Sequence, residues 1–232
     1  MSIKDNAQTI AENVPKVYQA GREDICEAFR NEIFDTVQQN GSRTNYNSAF
    51  ADAKWDDVTF KPIYDISATD ARYMFRYSQI TDLKKLLTEN NITLTTSGTS
   101  LLYFADESAI THCPAIGNSN LVSADNCFRL CKSLHTVDAL SFGDNCSFGN
   151  TFWNCTNLVN LTLNGSITKN GFNVSWSKSL SHDSLLGILN ALKDYSEDAS
   201  GTSWVVTLGT ANLNKLTDEE KAIATQKGWT IA

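Results

Sequence analysis

The histidines and cysteines are the first places to look for chemistry in this sequence. His182–Asp183 lies beside Ser181 and Ser184, the residue types of a hydrolase triad. A triad needs a base hydrogen-bonded to its nucleophile and an acid that orients the base. No Gly-x-Ser-x-Gly elbow accompanies the group, and a helix cap explains it better. His112 and Cys113 are adjacent, and neighbours on a strand point to opposite faces, which makes a poor nucleophile–base pair. The cysteines are Cys26, Cys113, Cys127, Cys131, Cys146 and Cys155. They include no paired Cys-x2-Cys knuckle, so zinc is not expected. Phosphate-cradling glycine loops and His-Glu-x-x-His are missing from the sequence. Acidic residues are dispersed, so a glycan-hydrolysing carboxylate pair has no positive support. The expectation is no catalytic residue, no metal site and no cofactor.

Bulk properties narrow the partners. The chain has 232 residues, a formal charge of −7 and 41% hydrophobic residues, enough for a packed core. An acidic surface repels phosphate backbones, and short basic pairs such as Lys84–Lys85 read as solvated helix faces, so nucleic acid is not the expected partner. The polar start Met1–Asn6 lacks a signal-peptide core, and no stretch approaches the roughly 20 apolar residues of a membrane span. The sequence reads as cytoplasmically made, without membrane insertion, and its thiols as reduced.

Whatever positions these side chains is repetitive. Phe128-Arg-Leu-Cys131-Lys-Ser-Leu134-His-Thr-Val137 and Phe152-Trp-Asn-Cys155-Thr-Asn-Leu158-Val-Asn-Leu161 share Phe-x-x-Cys-x-x-Leu-x-x-Val/Leu. A third copy begins at Phe104, with Ile110 and Cys113 at the later positions. A degenerate fourth runs Phe75-Arg-Tyr-Ser78-Gln-Ile80, one residue short before Leu83. A fifth is Val174-Ser-Trp-Ser177-Lys-Ser-Leu180. Each unit is one coil of a solenoid, whose apolar residues become a core only when coils stack. Phe128 should then stack on Phe152, with Cys131 and Cys155 as small core filler on the inner turn. Residues 158–164 read as a turn into a strand, with Leu161 and Leu163 inward.

The C-terminal third alternates helix and strand. Residues 181–192 have helical spacing with Ser181 or Asp183 as cap, and Trp204–Leu208 reads as a strand. Thr217 and Glu220 form a capping box for a helix running to about Gln226. Gly228 ends it, and Trp229–Ile231 is a last strand. These elements should continue the same right-handed coil, with true helices on its outer face, and cap its open end.

Residues 1–41 carry helical spacing (Ile10, Val14, Val17, then Ile25, Phe29, Ile33, Val37) broken at Pro15 and Gly21, which predicts two helices. They either shield the first coil, self-associate, or dock to another particle component. Residues 42–70 read as an irregular aromatic-rich connector, and residues 71–232 as the repeat domain.

The Phe-x-x-Cys-x-x-Leu-x-x-Leu pattern, followed by Asn/Thr-rich turns, resembles the BspA-type leucine-rich repeats of bacteria over residues 70–232. Ile10-Ala-Glu-Asn-Val-Pro-Lys-Val-Tyr-Gln-Ala-Gly21, Gln39-Asn-Gly-Ser-Arg-Thr-Asn-Tyr46 and the ending Leu216 to Ile231 resemble leucine-rich-repeat proteins of phages and prophages of gut Firmicutes. The resemblance implies an α/β fold, a right-handed leucine-rich-repeat solenoid with an N-terminal helical segment. It also implies a virion role as tail fibre, baseplate or surface decoration. The copies differ in length and cysteine content, so the family's ligand surface is not carried over. A polar row of outward strand positions, Thr136, Asp138, Asn160, Thr162, Thr207 and Thr230, is the expected binding face for a host surface protein or glycan. Other readings are solvated positions without a ligand, a cell-associated adhesin or scaffold, and a glycan hydrolase. Trp153 and Trp176 read as core, or as anchors for a partner.

Overall fold

The computed structural model describes residues 66–67, 71–84, 92–93 and 100–232. The expectations for residues 1–41, and for the connector apart from Ile66–Ser67, lie outside the described residues. What is described is mixed α/β, with small parallel sheets and few helices. The elements in order are β1 (Ile66–Ser67), β2 (Ile92–Thr93), β3 (His112–Cys113), β4 (Ile116–Gly117), β5 (Thr136–Ser141) and β6 (Asn160–Asn164). Then follow α1 (His182–Ala191), β7 (Trp204–Val206), α2 (Thr210–Leu213), α3 (Asp218–Gln226) and β8 (Trp229–Ile231).

Every strand pairing is parallel: β1 with β2, β5 with β3, β4 and β6, and β7 with β8. Parallel neighbours need a long connection between them. Here it is a segment of about two dozen residues that returns the chain in register. His112, Thr136 and Asn160 are successive Cα partners, as are Cys113, Val137 and Leu161. The second column is buried throughout, as the alternation in residues 158–164 requires.

The connections follow one backbone rule. In 71–78, 101–108 and 124–131 alternate amides divide their bonds, and 148–155 repeats the bonds within its own turn. Phe104, Asp106 and Ser108 donate within their own turn, to Leu101, Tyr103 and Ala105. Tyr103, Ala105 and Glu107 donate to Asp125, Cys127 and Arg129 of the next segment. Alternation of this kind needs left-handed residues at fixed places. They fall at Tyr73, Tyr103, Asn126 and Asn150, and again at Tyr77, Glu107, Leu130 and Asn154. Positive φ is uncommon outside glycine, and only asparagine among these tolerates it readily. Bonds to two segments at once hold the others there.

This ladder corrects one sequence alignment. Phe75 donates to the Phe104 carbonyl, Ala105 to Cys127 and Phe128 to Thr151. The residue opposite Phe128 in the earlier segment is therefore Ala105, and Phe104 shares its place with Met74, Cys127 and Thr151. The copy that begins near Phe104 is one residue short, like the one at Phe75. Phe104 still reaches the aromatic interior. Ring centroids are 5.3 Å apart for Phe75–Phe104, 6.3 Å for Phe104–Phe128 and 5.7 Å for Phe128–Phe152. The last pair is stacked within 14° of parallel, as expected from the repeat. Burying each ring contributes about 1.5–3 kcal/mol.

The first C-terminal helix differs from its expected place on an outer face. The Ser181 amide extends the ladder from β6 by bonding the Val159 carbonyl, and the chain then turns into α1. Ser184 Oγ accepts the Leu161 amide and donates to Val159, so a helix covers the edge where another strand would pair. Its buried Leu185, Ile188 and Leu189 close the apolar interior. An exposed parallel edge invites pairing with other chains, and a helix blocks it. Ser181 is the N-cap of α1, and Thr217 with Glu220 makes the expected capping box of α3. Lys227 Nζ donates to Leu189, Asn190 and Leu192 carbonyls at the end of α1, at the cost of a desolvated ammonium whose pKa is lowered. Trp204 and Trp229 are register partners in the separate β7–β8 sheet.

Candidate functional site

Alternation along the strands puts polar side chains on the outer surface of the β3–β5–β6 sheet. His112, Thr136 and Asn160 form one cross-strand row, joined by an Asn160 Nδ2 bond to Thr136 Oγ1 at 3.3 Å. Asp82 extends that row through a bridge to His112. The parallel row beyond it contains Lys84, Asp138 and Thr162, all exposed.

A bulge aims Asp138. Between the Val137–Leu161 and Leu140–Leu163 pairs, β5 has two residues, Asp138 and Ala139, against the single Thr162 of β6. Bulges of this kind bend a strand and redirect a side chain. The Asp138 carboxylate lies 2.7 Å from His112 Nε2 and 3.5 Å from Lys84 Nζ. The surface therefore combines two carboxylates, Asp82 and Asp138, one imidazole and one ammonium with neutral Thr136, Asn160 and Thr162. It can donate and accept hydrogen bonds over three strands.

The arrangement does not assemble a nucleophile. The His112–Asp138 contact resembles a base with its orienting acid, but the Thr136 hydroxyl is engaged by His135 Nδ1 at 3.1 Å and by Asn160. Ser181 caps α1 and Ser184 is bound to the β6 edge, while His182 Nε2 meets Glu220 at 2.8 Å. The thiols are no better placed for attack. Cys113, Cys127, Cys131, Cys146 and Cys155 are free and buried. Burial pushes Cys131 and Cys146 up to about 12 and holds Cys113, Cys127 and Cys155 well above the usual thiol value. Nucleophilic cysteines need the opposite shift. Among the described residues no group of three or more His, Cys, Asp or Glu side chains could hold a metal ion. None of the described helices is long and apolar enough to cross a membrane.

Thr207 and Thr230 do not join the row. Thr230 is exposed on β8, opposite Val205, and half-buried Thr207 follows β7 in a bridge to Asn173. Both belong to the C-terminal part beyond α1, which interrupts the sheet. Trp153 is half-buried and Trp176 is 50% exposed, with ring centroids 6.1 Å apart, so Trp176 is not core.

Sequence reasoning missed a charged ladder on the turn surface. Asp106 is fully buried between Arg76, 3.0 Å from its Oδ2, and Arg129, whose NH2 donates to the same oxygen at 3.1 Å. Oδ1 lies 2.8 Å from Arg129 Nε but off the N–H axis, so that contact is charge attraction rather than a hydrogen bond. Tyr73, Tyr77 and Tyr103 surround the Arg76 guanidinium at 4.5–5.6 Å from their centroids. The signal was present in the sequence: each charged residue directly follows Phe75, Ala105 or Phe128, but placing Phe104 opposite Phe128 sets Ala105 against Arg129 and hides it. Searches against family models, curated proteins and solved structures give no match for this chain.

Proposed function

We propose that this chain is a non-catalytic binding module, a right-handed leucine-rich-repeat solenoid whose strand surface recognises a protein or glycan on a host cell. The observation that carries this reading is the in-register row His112, Thr136 and Asn160, flanked by the bulge-aimed Asp138, over the buried Cys113, Val137 and Leu161. Parallel segments that repeat in register are how repeat proteins build a broad surface from short strands. The polar groups are spread over three strands rather than converging in a cleft, which suits a macromolecular contact better than a small substrate.

The setting we propose is a virion, as tail fibre, baseplate or surface decoration, with residues 1–40 attaching the chain to its own copies or to another virion component. The sequence resemblance to phage proteins supports it, and nearby genes for tail or capsid proteins would support it further. Recognition is tested with immobilised host surface protein and polysaccharide fractions, comparing the parent with an Asp138→Ala, Thr162→Arg double variant. At least a tenfold loss of binding with an unchanged circular dichroism spectrum is expected. Equal binding would remove the strand surface as the site. Attachment is tested by solution mass with and without residues 1–40. A monomer in both cases, with neither form incorporated into virions, would overturn it.

A further inference from the structure

We infer that Trp153 and Trp176 form a second binding site, separate from the strand surface, for a pyranose ring that carries a carboxylate. Among the described residues only Val122 and Trp176 are large apolar side chains left exposed, at 47% and 50%. A single exposed apolar side chain is ordinary on a protein surface, so what sets Trp176 apart is the N–H groups and the charge beside it. Trp204 and Trp229 show how this chain treats structural tryptophans. Their indole N–H groups donate to Asp198 Oδ2 and to the Lys193 carbonyl, each at 2.8 Å. Among the described residues neither Trp153 nor Trp176 gives its N–H to an acceptor. Two donors and a half-exposed ring therefore stand together, the indoles tilted by 57° at 6.1 Å, with the Lys178 ammonium over the Trp176 ring.

The occupant follows from size and charge. A protein interface needs roughly 800 Å² per partner with an apolar centre, and one exposed indole beside a half-buried one falls well short of it. A single sugar ring matches an indole in area. Its axial C–H groups carry partial positive charge and meet the electron-rich ring surface, while its hydroxyls can take the free N–H groups. Lys178 Nζ stands 6.0 Å from the Trp176 centroid and makes no ion pair among the described residues. A saturated ring rests about 3.5–4.0 Å above the indole. An ammonium at 6.0 Å is then within reach of a carboxylate borne by that ring.

The test uses the full chain, tryptophan emission and calorimetry, with oligogalacturonate and its methyl ester as probes of equal shape and different charge. An array of neutral and carboxylated glycans runs alongside. Oligogalacturonate is expected to alter the emission and to bind at least tenfold more tightly than the ester. Trp176→Ala should lose at least tenfold, and Trp176→Tyr should retain most of the affinity. Lys178→Gln should erase the preference for acid over ester. The Asp138→Ala, Thr162→Arg variant should bind the saccharide like the parent, so this site and the strand surface fail separately. The site is overturned if no carboxylated glycan binds, if Trp176→Ala binds as well as the parent, or if Trp176→Ala loses only capture of host protein.

Discussion

Cys155 donates its thiol proton to the carbonyl of Phe128, one segment earlier, across 2.9 Å. Cys131 does the same to Ala105 at 2.8 Å, and Ser177 to Phe152 at 2.6 Å. A small side chain with one donor suits this buried position, which Ser78, Ser108, Cys131, Cys155 and Ser177 occupy in turn. Cys155→Ser should cost less than about 1 kcal/mol, whereas Cys155→Ala loses the donor and leaves a small void, at about 1–2 kcal/mol. Urea unfolding of both variants checks the order. Burial also holds these thiols protonated at neutral pH. Alkylation at pH 8 should leave the five described cysteines unmodified in the native protein and label all of them in denaturant.

The stacked rings of Phe128 and Phe152 should carry far more stability than the exposed indole. Phe152 also meets Phe172 at 6.2 Å, so Phe152→Ala opens a void shared by three segments. The expected cost is about 3–5 kcal/mol. Trp176→Ala, at a half-exposed ring, should change stability by less than about 0.5 kcal/mol. Thermal unfolding of the two variants gives the comparison, and equal losses would mean that the aromatic interior is not what joins the segments.

How far the sequence could be read depended on which interaction set the register. The Phe128 and Phe152 copies matched because both place Cys, Leu and an aliphatic residue at equal intervals, and all of them are buried. The caps at Ser181 and Thr217 were legible because capping is local. Phe104 misled because the backbone ladder, rather than the largest apolar side chain, fixes the alignment, and Ala105 occupies the ladder position. The bulge at Asp138–Ala139 depends on a neighbouring strand one residue shorter, and pattern within one strand does not reveal it. Thr207 and Thr230 alternate correctly on their own strands, but Ser184 ends the sheet before them. Trp176 carried no sign of its exposure, since a tryptophan at that spacing suits a core equally well.

Asp106 links three segments through Arg76 and Arg129, spanning 30 residues in one direction and 23 in the other. Its carboxylate is wholly buried, and the two guanidiniums keep only 29% and 24% of their side-chain surface. Removing one partner of a buried pair leaves an uncompensated charge. Asp106→Ala should therefore destabilise by about 3 kcal/mol, and 0.5 M salt should change that little, because a buried pair is poorly screened. A double-mutant cycle with Arg76→Ala and Arg129→Ala should show strong coupling of both arginines to Asp106 and weak coupling between the arginines. An additive cycle would reduce the ladder to packing.

His182 at the start of α1 and Glu220 at the start of α3 join the two helices through one bond of 2.8 Å. The Glu220 hydrogen bond raises the His182 pKa above 6.5, although partial desolvation opposes it. Glu220 is held below 4.5, first by the Thr217 backbone amide and then by His182. A raised histidine contributes stability that is complete below its unfolded pKa and fades as pH rises through the folded one. A depressed glutamate contributes stability that is present above its unfolded pKa and fades as pH falls through the folded one. Both contributions overlap between about pH 4.5 and 6.5. His182→Gln should therefore lower the melting temperature most in that window, and the deficit should shrink toward pH 8 as the parent imidazole loses its proton. The pair is exposed, so the deficit should also shrink at high salt. Melting curves of parent and variant at pH 5.5 and pH 8 decide it: an equal difference at both would mean that the His182–Glu220 contact acts by shape, without its charge.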